Sequence, residues 1–478
     1  MLDYEGSRIR RHIAGRLFGI ALGCLAVAAP TTAGQGKAGG TTQAPNEFGA
    51  PCARGQYSLR GYLLVCSDAG TYRYAMPEDI PPAPEGGYVA RPAWYPRIAD
   101  VYHAVNPPKC PLTGRVTFTS PIVRLDDLSI TVPQGAMVGD HVTPIDHGYI
   151  GVKPLATPSA DRTDADYVPI YAPADGEVIE ISSLGAPTSI RIVLAHGCDT
   201  FSVFMVANRL SGALAYLQDD FLATGRLNPG IRLLAGEEFA EQRDNPIDFA
   251  VNDGASWLSG FVSPFSYAEG EASKPYTVNP WPYFSPDLAE AYRASLQRVV
   301  SPRWGRIDQD VPGTAAGNWF LDGTLGYSGR SVDTFRFATT TLSGGPVEGK
   351  NTYAWSHLAI ARHWVQPTNW IFSIGWWKDQ QGDPGQWLIE VASGQPEPSA
   401  LTPGSGVVVY RLNHLGTTAP HNGNAPMPID YDVVPFGTEG IVAMRVNVDG
   451  TLTVEPVPGA QDPASFAGFS AAKRTYRR

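Results

Sequence analysis

The sequence predicts a mainly β protein built from several units. Three observations carry this. Glycine (51) and proline (42) are abundant in a chain of 478 residues, and only 17% of residues are charged, a composition of short strands and turns. Apolar residues alternate with period two over most of the chain. Helical periodicity is clear in one place only. The length calls for two or three domains. The formal net charge is −10 with no long basic run, so nucleic acid and anionic bilayer surfaces are poor partners.

Residues 1–33 read as a signal peptide. Arg8, Arg10, Arg11 and Arg16 precede the apolar run LFGIALGCLAVAA, and Thr31-Thr32-Ala33 offers small residues for cleavage. The run is shorter than a bilayer span, so no span is expected after cleavage. An uncleaved anchor and a lipoprotein site at Cys24 are the competing readings. Export would leave Cys52, Cys66, Cys110 and Cys198, an even number that suggests two disulfides. Cys52–Cys66 would close the hairpin-like QYSLRGYLLV, and Cys110–Cys198 would staple the next unit; three pairings are open.

Residues 34–112 are assigned to a flexible linker and a small disulfide-closed β unit. Within them PPAPEGGYVARPAWYP is an extended stretch expected to wrap another domain. Residues 113–275 form a β domain, from runs such as SIRIVLAH, FSVFMV and IDFAVND. Residues 276–305 connect it onward with a helix, started by Ser285-Pro286 and carrying Leu288, Tyr292, Leu296 and Val299 at helical spacing. Residues 306–470 return to strands, expected as a sandwich or barrel. Residues 471–478, AAKRTYRR, read as a disordered basic tail. Trp281, Trp319, Trp355, Trp364, Trp370, Trp376, Trp377 and Trp387 crowd the second half, with core as their default role and sugar stacking as the alternative.

Within the middle domain four pieces stand in order: VPIYAPADGEVIEI, with a turn at Pro173 and Asp175-Gly176 that reads as a hairpin; IRIVLAHGCDTFSVFMVANRLS; IRLLAGEEFAE; and NPIDFAVND. Together they resemble the lysostaphin-type (LytM-like) zinc metallopeptidases of bacterial cell walls, over roughly a quarter of the chain. The resemblance implies a duplicated-hybrid-motif β fold, a groove over a sheet, and a zinc held by the His and Asp of HxxxD and the second His of HxH. Three such ligands and an open position make a hydrolytic zinc site.

The matching positions depart from that pattern. Thr143 falls where the first His belongs and His147 where the Asp belongs. Asp248 replaces the second His of HxH, Pro246 the first, and Asn208 the His of the "YgHL" segment. His147 and Asp248 remain as candidate metal ligands, and candidate catalytic residues, in exchanged roles. A shifted register brings in His141 but restores no proton-transfer group. A bland alternative pairs His147 with Asp248 or with Asp146, satisfying groups that are costly to bury alone. His196, before Gly197, reads as structural. His357 and His363 have no carboxylate beside them in sequence. No Walker loop, nucleophile elbow, dinucleotide fingerprint or HExxH occurs.

The resulting expectation is an exported cell-envelope protein, extracellular or periplasmic, whose peptidase-like domain is inactive and serves binding or scaffolding. Its partner would be an envelope protein or a cell-wall glycan or peptide. No cofactor is expected, with zinc left open. A divergent metal-dependent peptidase or amidase and a structural surface component are the alternatives.

Overall fold

The structure, a computed structural model, describes residues 48–59, 63–102, 116–339, 353–377, 384–417 and 432–478. It is mostly β, as the sequence predicts. The expected signal peptide and Cys110 lie outside the described residues.

Strands β1 (Tyr57–Leu59), β2 (Leu63–Cys66) and β3 (Tyr72–Tyr74) form a small antiparallel sheet. Cys52 and Cys66 are bonded across it. Cys198 is also disulfide-bonded, and its partner lies outside the described residues. The Cys52–Cys66 bond closes a loop of 14 residues. Its removal by a double Cys→Ser change is expected to destabilise this unit by about 3 kcal/mol, read as earlier loss of its amide protection. An unchanged unit would contradict this.

The middle domain contains β4 (Leu128–Val132), β5 (Gly148–Val152), β6 (Val168–Tyr171), β7 (Gly176–Ser183), β8 (Ile190–Ala195), β9 (Thr200–Ala207), β10 (Arg209–Leu210), β11 (Arg226–Leu227), β12 (Ile231–Leu233), β13 (Glu238–Gln242) and β14 (Ile247–Asp253). The large sheet runs β11-β7-β8-β9-β14-β5-β4, with β12 also on β7, and a second sheet runs β10-β13-β6. The two enclose a core that includes Val178, Ile192, Phe204, Phe239, Phe249 and Val251.

One expectation needs correction here. The strands flanking the Ala-Pro-Ala-Asp-Gly turn do not pair as a hairpin. β6 pairs with β13 and β7 with β8, so the turn passes the chain from one sheet to the other. Its polar groups are satisfied by other segments. Asp175 accepts from the Ala235 amide and pairs with Arg232, while the Pro173 carbonyl accepts from the Thr119 and Ser120 amides.

The expected helix spans Pro286–Ala294, and Ser285 precedes it without a side-chain cap bond. Tyr292 and Leu296 enter the middle-domain core with Trp281 and Trp304, so residues 276–305 complete that domain as well as connecting it onward. Val299 is 61% exposed, beyond the helix, and does not continue its apolar stripe.

The C-terminal domain is a closed barrel of β15 (Gly317–Leu321), β16 (His357–Arg362), β17 (Trp370–Ile374), β18 (Gly385–Glu390), β19 (Val408–Thr417), β20 (Val433–Val446), β21 (Leu452–Pro458) and β22 (Arg474–Arg477), each paired with the next. Its interior is filled by side chains, Trp319, Phe372, Trp377, Trp387, Tyr410 and Tyr476 among them. The basic tail expected to be disordered is instead the closing strand: β22 pairs with both β15 and β21. Tyr476 faces the barrel core, and Arg478 donates to the Ala316, Val311 and Thr314 carbonyls. A charged tail is held because its alternate residue is apolar and its guanidinium groups find carbonyls. Among the described residues no helix is long and apolar enough to cross a membrane.

Candidate functional site

His147 lies immediately before β5 and Asp248 on β14, and these strands are neighbours, with Asp248 opposite Tyr149. The alternation of β14 turns Ile247, Phe249 and Val251 into the core. Asp248, Ala250 and Asn252 therefore face the opposite side of the large sheet. On that side His147 sits between two carboxylates. Its Nδ1 is 3.1 Å from Asp146 Oδ1 and its Nε2 is 3.3 Å from Asp248 Oδ2. The second contact is an ion pair without hydrogen-bond alignment. The ring of His141 meets that of His147 edge-on at 5.6 Å.

The electrostatics are those of a buried ionic cluster. Burial lowers the His147 pKa, but Asp248 and then Asp146 more than reverse this and raise it to about 9. Burial raises the Asp146 carboxyl, yet the bond to His147 and the charge of Lys274 hold it well below the usual range. At Asp248 burial outweighs the attraction of His147, and its pKa is raised. The two carboxylates are thus unequal, and Asp146 is the firmer counter-ion. Burial, with the charges of His147 and Lys274, pushes His141 down to about 3, leaving it neutral.

Two further members escape sequence reasoning. Lys274 is 1% exposed and lies 4.9 Å from the Tyr327 ring centre. Burial lowers its pKa against the attraction of Asp146 and Glu271. Burial and Asp146 raise Glu271 to about 7. Both stand over 120 positions from His147 in the chain. The sole hint was a lysine in the aromatic run KPYTVNPWPYF.

That face of the large sheet carries its own cover. Tyr88, Trp94, Tyr95 and Ile98 from the extended stretch and its continuation pack onto Val193, Ala195, Phe201, Val203 and Ala250, with Tyr276 alongside. Trp257 Nε1 donates to the Tyr88 carbonyl, Tyr95 to the Ala272 carbonyl, and the Tyr102 hydroxyl to Asn252 Oδ1. The wrapping expected of PPAPEGGYVARPAWYP is therefore directed at the sheet face. On another side, Met137, from the loop leading to His141, packs against the barrel exterior beside Ala359, Ile371 and Leu388.

Other positions of the motif have structural duties. Asn208 Nδ2 donates to the Thr188 carbonyl, and its Oδ1 accepts from the Arg243 and Asp244 amides, so it braces the turn that leads into Pro246 and β14. Val206, two residues earlier, holds φ at +60° beside an irregularity in the β8–β9 pairing. For a β-branched residue that conformation is strained. Thr143 is buried. His196 bridges the Asp175 carbonyl and Ser202 Oγ. His357 bonds the Tyr327 carbonyl, and His363 Nδ1 accepts from the Val365 and Gln366 amides. Each of the three is buried and neutral at ordinary pH, pushed to about 4, 3 and 3.

A zinc ion at this point would find His147 Nε2 and Asp248, while Nδ1 is taken by Asp146. Among the described residues no three His, Cys, Asp or Glu side chains are grouped to hold a metal, and the described residues alone thus supply fewer ligands than the three of a tight zinc site. Compared with known proteins, the chain matches no family model and no curated protein.

Proposed function

We propose that this is an exported cell-envelope protein whose lysostaphin-type peptidase-like domain is a non-catalytic scaffold, carrying the disulfide-closed unit and the barrel for binding an envelope protein or cell-wall fragment. One observation carries the reading: the sheet face that would be the substrate groove is filled by the chain's own aromatic residues Tyr88, Trp94, Tyr95 and Tyr276. The cluster beneath fits this, since His147 is held between Asp146 and Asp248. Asn208 and Pro246 stand where the resemblance would require proton-transferring histidines. A neutral amide and a proline ring supply no base near neutral pH.

The second reading, a divergent metal-dependent peptidase or amidase, draws on one feature: His147 Nε2 and Asp248 Oδ2 approach each other on the same face. The two are separated by incubating the full chain with purified cell wall and added zinc, beside His147→Ala. The scaffold reading expects no zinc-dependent muropeptide release from either. Release by the parent chain that the variant loses would establish the enzyme.

A further inference from the structure

We propose that Glu269 is a proton-controlled latch on the docking of the disulfide-closed N-terminal unit: with its carboxyl neutral the unit stays closed on the rest of the chain, and with it ionised the seam takes up water and opens. The seam is formed by β2 and β3 on one side. On the other are the short helix Phe265–Ala268 and the segment containing Leu325 and Phe335. Between them lies a cavity lined by Leu63, Tyr74, Ala75, Phe265, Leu325 and Phe335, with room for about one water molecule. Among the described residues Glu269 is the one ionisable carboxyl lining it. Its Oε2 is buried without a hydrogen-bond partner among the described residues.

Among the described residues the surrounding charges leave that carboxyl little support when ionised. On the 325–336 segment Arg336 is engaged with Glu78, and on the N-terminal unit Arg73 is engaged with Asp79. Asp333 lies on the same segment as Arg336, and Glu271 follows Glu269 in its own. Arg330 is the cation beside it, its Nε 3.5 Å from Oε1, an ion pair that leaves Oε2 unmatched. A neutral carboxyl loses little in an apolar seam, whereas an ionised one beside a single cation needs more water than a cavity with room for about one molecule supplies. In keeping with this geometry, burial raises the Glu269 pKa from 4.5 to about 8 against the pull of Arg330. The sign follows. The docked state prefers the proton, so docking is firmest below the free-carboxyl value and weakens as pH rises from there to about 8.

The test is pulsed hydrogen exchange on the full chain between pH 5 and 8, corrected for intrinsic exchange rates and read at the amides of β2 and β3. The expected result is a population of open seam that grows more than about tenfold from pH 5 to pH 7.5. In Glu269→Gln, which keeps the shape of the neutral acid, protection at pH 5 should match the parent and stay level to pH 8. A parent seam indifferent to pH overturns the latch. So does a Glu269→Gln seam that still loosens, because the response then belongs to another group such as Glu271, which titrates in the same range.

Discussion

Replacing Trp319 by alanine is expected to cost the barrel about 3–5 kcal/mol, the range for deleting a large buried aromatic. Three losses coincide at this residue. It is 1% exposed within the barrel core. Its Nε1 donates to the Ala315 carbonyl, so the strand entry is left with an unmet acceptor. Its ring also lies 4.1 Å beneath the Arg478 guanidinium, which anchors the residue after the closing strand. The barrel should therefore lose its closure at β15–β22 first. Chemical denaturation followed by exchange at β15 and β22 reads both effects. A loss below about 1 kcal/mol, or one that spares β22, would refute this account of how the barrel is sealed.

The second large effect belongs to His147. Its replacement by alanine leaves Asp146 and Asp248 facing each other in a buried site, and removing one partner of such a cluster typically costs about 3–5 kcal/mol. The loss should depend on pH in a stated direction. The folded pKa, about 9, lies above the ordinary value of 6.5, so the charged imidazole stabilises the fold fully below pH 6.5. That contribution disappears as pH rises through about 9. The parent should thus lose about 3 kcal/mol between pH 6 and pH 9.5 that His147→Ala does not lose. Denaturation curves at the two pH values decide it. Parallel losses in parent and variant would mean that His147 is not charged in the fold.

Much of the architecture was legible because it is local. Period-two alternation marked β8, β9 and β14, and the spacing of Cys52 and Cys66 around a short hairpin marked the disulfide unit. Asp248 on an apolar strand demanded a partner, and His147 was the group named for it. What was not legible depends on distance. The turn at Asp175-Gly176 has the same chemistry whether it joins two paired strands or crosses between sheets. The difference is made by Ala235, Arg232, Thr119 and Ser120, remote in sequence. Lys274 and Glu271 join the His147 cluster through tertiary packing that no local pattern announces. The tail misled because its arginines dominate its composition, while a single alternate residue, Tyr476, decides its burial.

The aromatic cover of the large sheet also bears on how the chain is made. A polypeptide emerges from synthesis N-terminus first, so Trp94 and Tyr95 appear long before Val203, Ala250 and Tyr276, the residues they end up packed against. Until strand β14 and the segment after it have emerged, those indole and phenol rings have only their own N-terminal neighbours, such as Leu63 and Tyr88, to pack against and stay largely exposed as a sticky stretch. The sheet face they will cover is bare for as long. Joining them closes a loop of roughly 150 residues, an entropic cost met late in folding. A nascent chain stalled before residue 250 should therefore be the species most in need of a chaperone, and the stretch around Trp94 the place where it is held.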